Sequence, residues 1–272
     1  TAYEIVSRDW SSDVCSSDLT SIRLNAVEFD QQQNVDDYLT VGGVLDNVCN
    51  SACQTCNEHL STKIGSLKSR DYIRIDNHKK FWNLPLERIV HLDINGGEPS
   101  ASKNYRNILE NIPNSIKSVR INTNCSTVMN EVVELVQRGV QVTVTVSLDG
   151  IGRKHDYVRW PIAWENFEHN LLTYKDMAVD LNTWTTVSAL NIGDLKNIFS
   201  YVKQHKLKNS WALLENPSVL NVKYSNHLTR TADVPDELKT IVASGEDNTV
   251  ELQLFTAAQD NLRGIKLWDY FK

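Results

Sequence analysis

The sequence predicts an α/β protein, a partial (β/α)6 barrel of the TIM type closed by a short C-terminal helical extension. Three observations predict it. Six short apolar runs recur between residues 38 and 214, and each is followed by a stretch with helical spacing of apolar side chains. The runs are also rich in β-branched residues, 140–147 above all, as a buried parallel sheet requires. Strands alternating with helices at this interval make βαβ units.

In chain order, the expected strands are Tyr38–Leu45, Arg88–Ile94, Ile116–Ile121, Val140–Ser147, Leu181–Leu190 and Ser210–Leu214. The helical patterns that follow them cover 54–68, 102–112, 127–138, 163–178 and 193–206. Beyond Pro217 the pattern changes to two helices, 235–244 and 250–269, parted by the polar break Gly245-Glu246-Asp247-Asn248. The expected organisation is a connector over 20–37, a barrel core over 38–222 and a helical extension over 223–272. In such barrels the chemistry gathers at the carboxyl ends of the strands, so functional motifs belong there.

Composition narrows the function. The chain has 272 residues, 41% of them apolar, enough to fold around its own core. No run approaches 18 consecutive apolar residues, so no membrane helix is expected. With 28 basic against 34 acidic residues the net charge is −6, which argues against a general nucleic-acid binder. Five cysteines are too few for a disulfide scaffold, and a cytoplasmic protein is expected.

Residues 1–19, TAYEIVSRDWSSDVCSSDL, stand apart, with crowded Ser and Asp and no periodicity. Read bottom-up they are a disordered tail or an acidic linker. They also resemble the translation of a short-read sequencing adapter, and on that resemblance the segment is an artefact outside the fold. Without it, 27 basic residues face 30 acidic ones, the net charge is −3, and Cys15 drops out.

Just after the first expected strand comes CNSACQTC, with Cys49, Cys53 and Cys56 in a C-x3-C-x2-C spacing. Three thiolates within eight residues can wrap one metal centre. Iron–sulfur clusters normally take four cysteines, and three leave one iron open, as a catalytic site needs. His59 follows, so Cys49, Cys53, Cys56 and His59 are also a candidate structural zinc site. Ordinary reduced thiols are the third reading, and Cys125 reads as a buried thiol.

At the end of the next strand sits IVHLDINGGEPS. Gly96 and Gly97 let backbone approach a ligand closely, and the Glu98 carboxylate can accept hydrogen bonds from a ligand ammonium. Alone, such a segment is more often a turn.

CNSACQTC, NGGEP, INTNC and VSLDG at successive strand ends together resemble the radical S-adenosylmethionine superfamily over about residues 38–215. The resemblance implies a 4Fe-4S cluster on Cys49, Cys53 and Cys56, whose free iron chelates S-adenosyl-L-methionine. One electron from the cluster cleaves a carbon–sulfur bond, and the resulting 5′-deoxyadenosyl radical abstracts hydrogen from a substrate. It further implies that Gly96, Gly97 and Glu98 bind the methionine amino group. Thr123 and Asn124 match the polar pair of the third strand, with Cys125 where the family usually has Gly. Ser147 matches a cofactor-holding position on the fourth strand. Thr55 stands where many members carry an aromatic residue beside the adenine. Asn191, with Ser188, lies where the family sometimes contacts the ribose.

The segment 147–171 is similar to radical S-adenosylmethionine proteins with SPASM or twitch domains, with Tyr157, Arg159, Pro161 and Trp164 at matching positions. Segments 213–222 and 260–264 also resemble that subgroup, the latter as a structural pairing on a closing helix. Arg159 contacts a carboxylate of cofactor or substrate or pairs with an acidic neighbour. Asp149 is a substrate-facing base or a helix N-cap, and Asn191 is also a candidate cap for 193–206. No cysteine follows Cys125 to hold an auxiliary cluster, so the expectation is a longer natural protein that has lost an amino-terminal cysteine segment. The implied partners are a flavodoxin or ferredoxin as electron donor and a peptide or small-molecule substrate.

The remaining residues have plain readings. Trp82, Trp160, Trp164, Trp184, Trp211 and Trp268 are expected mostly in the core, and His155 and His169 at the surface. Lys196, Lys203, Lys206 and Lys208 form a solvated face.

Overall fold

Alternation in the strands carries the architecture. In β5, Gln141–Ser147, the residues Val142, Val144 and Val146 are buried while Thr143, Thr145 and Ser147 are half-buried. One face of the sheet is therefore apolar and covered, and the other is polar and partly open. The computed structural model describes residues 3–5, 39–69, 71–224, 236–243 and 249–270. Among these, seven strands form one parallel sheet in sequence order: β1 (Tyr3–Ile5), β2 (Leu39–Val44), β3 (Ile89–Asn95), β4 (Ser118–Thr123), β5, β6 (Asp180–Val187) and β7 (Lys208–Leu213).

The crossover helices are α1 (Thr62–Lys68), α2 (His78–Trp82), α3 (Lys103–Asn111), α4 (Asn130–Gln137), α5 (Arg153–Val158), α6 (Trp164–Lys175) and α7 (Leu195–Gln204). After β7 come α8 (Asp236–Ala243), α9 (Thr249–Arg263) and α10 (Leu267–Tyr270). The open α/β barrel is the fold the sequence predicts. Its core lies between sheet and helices, where Val119, Ile121, Val144 and Val146 pack with Ile108, Leu135, Phe167 and Ile198. Each such side chain contributes roughly 1.5–3 kcal/mol by leaving water.

The differences have local causes. The helix expected over 54–68 begins only at Thr62, because residues 54–61 are committed to turns around the cysteines. Ser61 caps α1 by accepting from the Ile64 amide at 3.4 Å. Helices α2 and α5 are too short to leave a periodic signature. Tyr3–Ile5, placed outside the fold by the sequence, pair with Val41–Gly43 as an edge strand. An open sheet edge offers unpaired backbone groups to any extended tripeptide. The remainder of 1–38, with Cys15, lies outside the described residues.

Three surface expectations are corrected. His155 is fully buried against Trp164 and Phe167, with ring centroids 5.5 and 4.1 Å away. Trp211 and Trp268 are exposed rather than core. His169 and the four lysines are exposed, as expected. No helix of the described residues is long and apolar enough to cross a membrane.

Candidate metal and cofactor site

The carboxyl ends of β2, β3, β4 and β5 bring the sequence motifs together. The cysteine loop leaves β2 through Leu45-Asp46-Asn47-Val48, and the loop after β3 packs directly on it. Gly97 donates to the Asp46 carbonyl at 2.9 Å, and Glu98 donates to the Val48 carbonyl at 2.7 Å. A Cβ on Gly96 would sit 2.8 Å from the Asp46 carbonyl oxygen, and one on Gly97 would sit 2.3 Å from that of Val48. The glycines therefore have a packing role within the chain. Their missing side chains make room for the backbone that carries the cysteines, so two motifs that are far apart in sequence are one packed unit.

Glu98 anchors the next layer. It is buried, and burial pushes its carboxyl above the ordinary range while hydrogen bonds pull it back. Its Oε1 accepts from Ser100 Oγ (2.8 Å) and Thr123 Oγ1 (2.7 Å), and its Oε2 accepts from the Asn124 amide (2.6 Å). Asn124 Nδ2 in turn donates to Asn50 Oδ1 (2.9 Å) and Ser51 Oγ (2.7 Å). Thr123 and Asn124 thus tie the end of β4 to Glu98 and to the loop between Cys49 and Cys53. Asp46, also buried, accepts from Ser102 Oγ at 2.5 Å and so fastens the start of α3.

The three thiols share one electrostatic neighbourhood. Burial, then the adjacent Cys53, pushes the Cys49 thiol up to about 12. Burial raises Cys56 further, with Cys53 and Cys49 adding to it. Cys49 Sγ accepts from the Ser51 amide at 3.4 Å, and Cys53 Sγ accepts from Arg159 Nη1 at 3.6 Å. Neutral thiols raised in this way surrender protons when they ligate iron. Cys125 is different: it is fully buried in the apolar core with φ +60°. That left-handed backbone is the reason Gly suits this position.

Among the described residues no three His, Cys, Asp or Glu side chains gather around one point suited to a single metal ion. His59 Nδ1 accepts from the Ile73 amide at 3.4 Å, which ties the loop after the cysteines to the segment that follows α1.

The other expected contacts fall as follows. Thr55 is half-buried between Cys53 and Cys56, and Ser147 is half-buried at the end of β5 beside Trp184. Asn191 is buried and spends its carboxamide on backbone: Oδ1 accepts from Ser188 N (2.8 Å), and Nδ2 donates to the carbonyls of Asp149 (3.1 Å) and Thr186 (2.9 Å). It locks β5 to β6, and although it stands at the N-cap position of the turn Ile192–Asp194, its side chain makes no capping bond there. Asp149 is no cap either. It is buried, pairs with Arg159 Nη2 at 2.6 Å, and accepts from the Thr186 amide at 2.7 Å. Gly152 begins α5 instead.

Two features were at most partly legible in the sequence. Arg263 of α9 donates to the carbonyls of Ala52 (2.6 Å) and Cys53 (3.0 Å) across more than two hundred residues. Asp260, one turn earlier, accepts from Tyr157 Oη at 2.9 Å. The structural pairing expected at 260–264 takes this form. The second feature is the polar face of the sheet, where Asp93 and Arg120 face each other at 3.7 Å and Asn122 hydrogen-bonds Asn95.

No family model matches the chain, and no curated protein matches it. Solved structures match its fold. The crystal structure of Streptococcus suis SuiB bound to S-adenosylmethionine aligns with a TM-score of 0.52 at 14% identity, covering 92% of this chain and 54% of that one. SuiB bound to precursor peptide SuiA gives 0.51 at 14%, covering 92% and 52%. Native anSMEcpe with bound AdoMet gives 0.51 at 15%, covering 83% and 62%. The chain spans between half and two thirds of the length of these structures.

Proposed function

We propose that this chain is the core of a radical S-adenosylmethionine enzyme, with Cys49, Cys53 and Cys56 holding a 4Fe-4S cluster. The observation that carries the reading is the packed unit at the strand ends: the three-cysteine loop held on the Glu98–Asn124 network. Three thiolates on one short loop could each hold one iron of such a cluster and leave the fourth open to a ligand. The fold shared with two proteins solved with S-adenosylmethionine supports the same reading.

When bound, the cluster supplies one low-potential electron for cleavage of the sulfonium carbon–sulfur bond, the source of a 5′-deoxyadenosyl radical. The chain's own residues bind and orient. The 96–98 backbone and the Glu98 carboxylate would hold the cofactor's amino group. Thr55 and Ser147 would add contacts to the cofactor, and Asn191 holds the strand ends in register. Arg263 of α9 holds the loop by its Ala52 and Cys53 carbonyls.

A peptide is the substrate class this reading favours. The polar face of the sheet carries both donors and acceptors, and its charged pair Asp93–Arg120 cancels. Carboxamides at Asn95 and Asn122 match the one-donor, one-acceptor pattern of peptide units. A flavodoxin- or ferredoxin-type donor, the twitch or SPASM subgroup and a cytoplasmic setting belong to the same proposal. Anaerobic reconstitution with iron and sulfide tests it: visible absorption and 5′-deoxyadenosine are expected on reduction with S-adenosylmethionine. Stoichiometric zinc with no 5′-deoxyadenosine would overturn it.

A further inference from the structure

Cys53 is held unlike the other two cysteines. The amides on either side of it pair with the segment that carries Arg159: Ala52 N donates to the Trp160 carbonyl at 2.8 Å and Gln54 N donates to the Val158 carbonyl at 2.9 Å. That register sets Arg159 opposite Cys53, and Nη1 reaches the sulfur at 3.6 Å. The guanidinium is largely buried, and its other arm is held at 2.6 Å by the fully buried Asp149. Asp149 is itself fixed by the Thr186 amide at 2.7 Å. From the opposite side Arg263 fixes the Cys53 carbonyl at 3.0 Å. By contrast Cys49 meets the Ser51 amide and the Ser61 hydroxyl, both neutral donors, and Cys56 donates to the Asn57 carbonyl at 3.8 Å.

We propose that Arg159 is a positioning residue that sets the reduction potential of the cluster through the Cys53 sulfur, with Asp149 as its counterweight and Arg263 as the clamp on the loop. Hydrogen bonds and positive charge at a cluster's sulfurs favour its reduced, more negative state. The Asp149–Arg159 pair is neutral overall but presents its positive end to Cys53, and Asp149 draws back part of that field. Removing either member therefore moves the potential in opposite directions. This inference rests on the function proposed above.

The test is an electron-paramagnetic-resonance redox titration of the full reconstituted chain, with dithionite supplying the single electron. Arg159→Met is expected to lower the potential, Asp149→Asn to raise it, and Arg159→Lys to fall between Arg159→Met and wild type. Shifts of the same sign in Arg159→Met and Asp149→Asn, or no shift in either, would overturn the proposal. If Arg159→Met does not retain the cluster, Asp149→Asn and Arg159→Lys decide it by their opposite signs. A wild-type chain that assembles no cluster fails the underlying functional reading instead, and visible absorption separates the two failures.

Discussion

The protein buries cysteines in two kinds of surroundings. At 49–56 three of them sit among backbone amides, carboxamides and guanidinium groups. At 125 one sits in the hydrocarbon core, with its backbone in the left-handed region. Burial raises the thiols of Cys49, Cys56 and Cys125 alike, so reluctance to ionise does not separate the regions. Company does. The loop offers groups that stabilise a thiolate or cluster once the proton has left, whereas the core offers Cys125 none.

The largest effect should come from erasing that company's purpose. Cys49→Ala, Cys53→Ala and Cys56→Ala should each abolish cluster assembly, read as iron content and visible absorption, while Cys125→Ala should assemble normally. Next, Gly97→Ala places a methyl 2.3 Å from the Val48 carbonyl oxygen, so backbone must move. A loss of about 3 kcal/mol in urea unfolding is expected, with poor iron retention, because the loop and its support are one unit.

Asn124→Ala removes the bridge to Asn50 and Ser51 and should cost about 2 kcal/mol, mostly as orphaned buried partners. Faster loss of iron to a chelator would locate the damage in the loop; equal stability and equal iron retention would refute the assignment.

His155 sharpens the comparison by pH. It lies in the same kind of apolar surroundings as Cys125, and burial holds its imidazole down at about 3. The unfolded chain binds that proton near pH 6.5, so stability is complete above 6.5 and is lost as pH falls towards 3. Between pH 7.5 and pH 5 the loss attributable to His155 should be about 2 kcal/mol, and His155→Phe should flatten that slope. The smallest effect is Cys125→Ala, about 1 kcal/mol in urea unfolding, since it only empties part of a core position.

The cysteine triad, the GGEP segment and the six barrel strands were legible because each is local. A strand shows its period within a few residues, and a ligand loop shows its spacing within eight. The glycines were legible as residues but not as reasons: nothing in NGGEP says that Val48 lies against Gly97. His155 and Asp149 were misplaced for the same cause, since their settings are built by α6 and by Thr186.

By itself, then, the sequence determined the alternating α/β plan, the carboxyl-end placement of the motifs and the identity of the candidate ligands, all of which rest on short-range periodicity and side-chain chemistry. Only the tertiary structure decided how the ligands are held. Arg159 opposite Cys53, Arg263 on the loop carbonyls and Asn124 bridging two strand ends are contacts between segments 70 to more than 200 residues apart. Such contacts leave no period or spacing in the chain, because what joins them is the closure of the barrel.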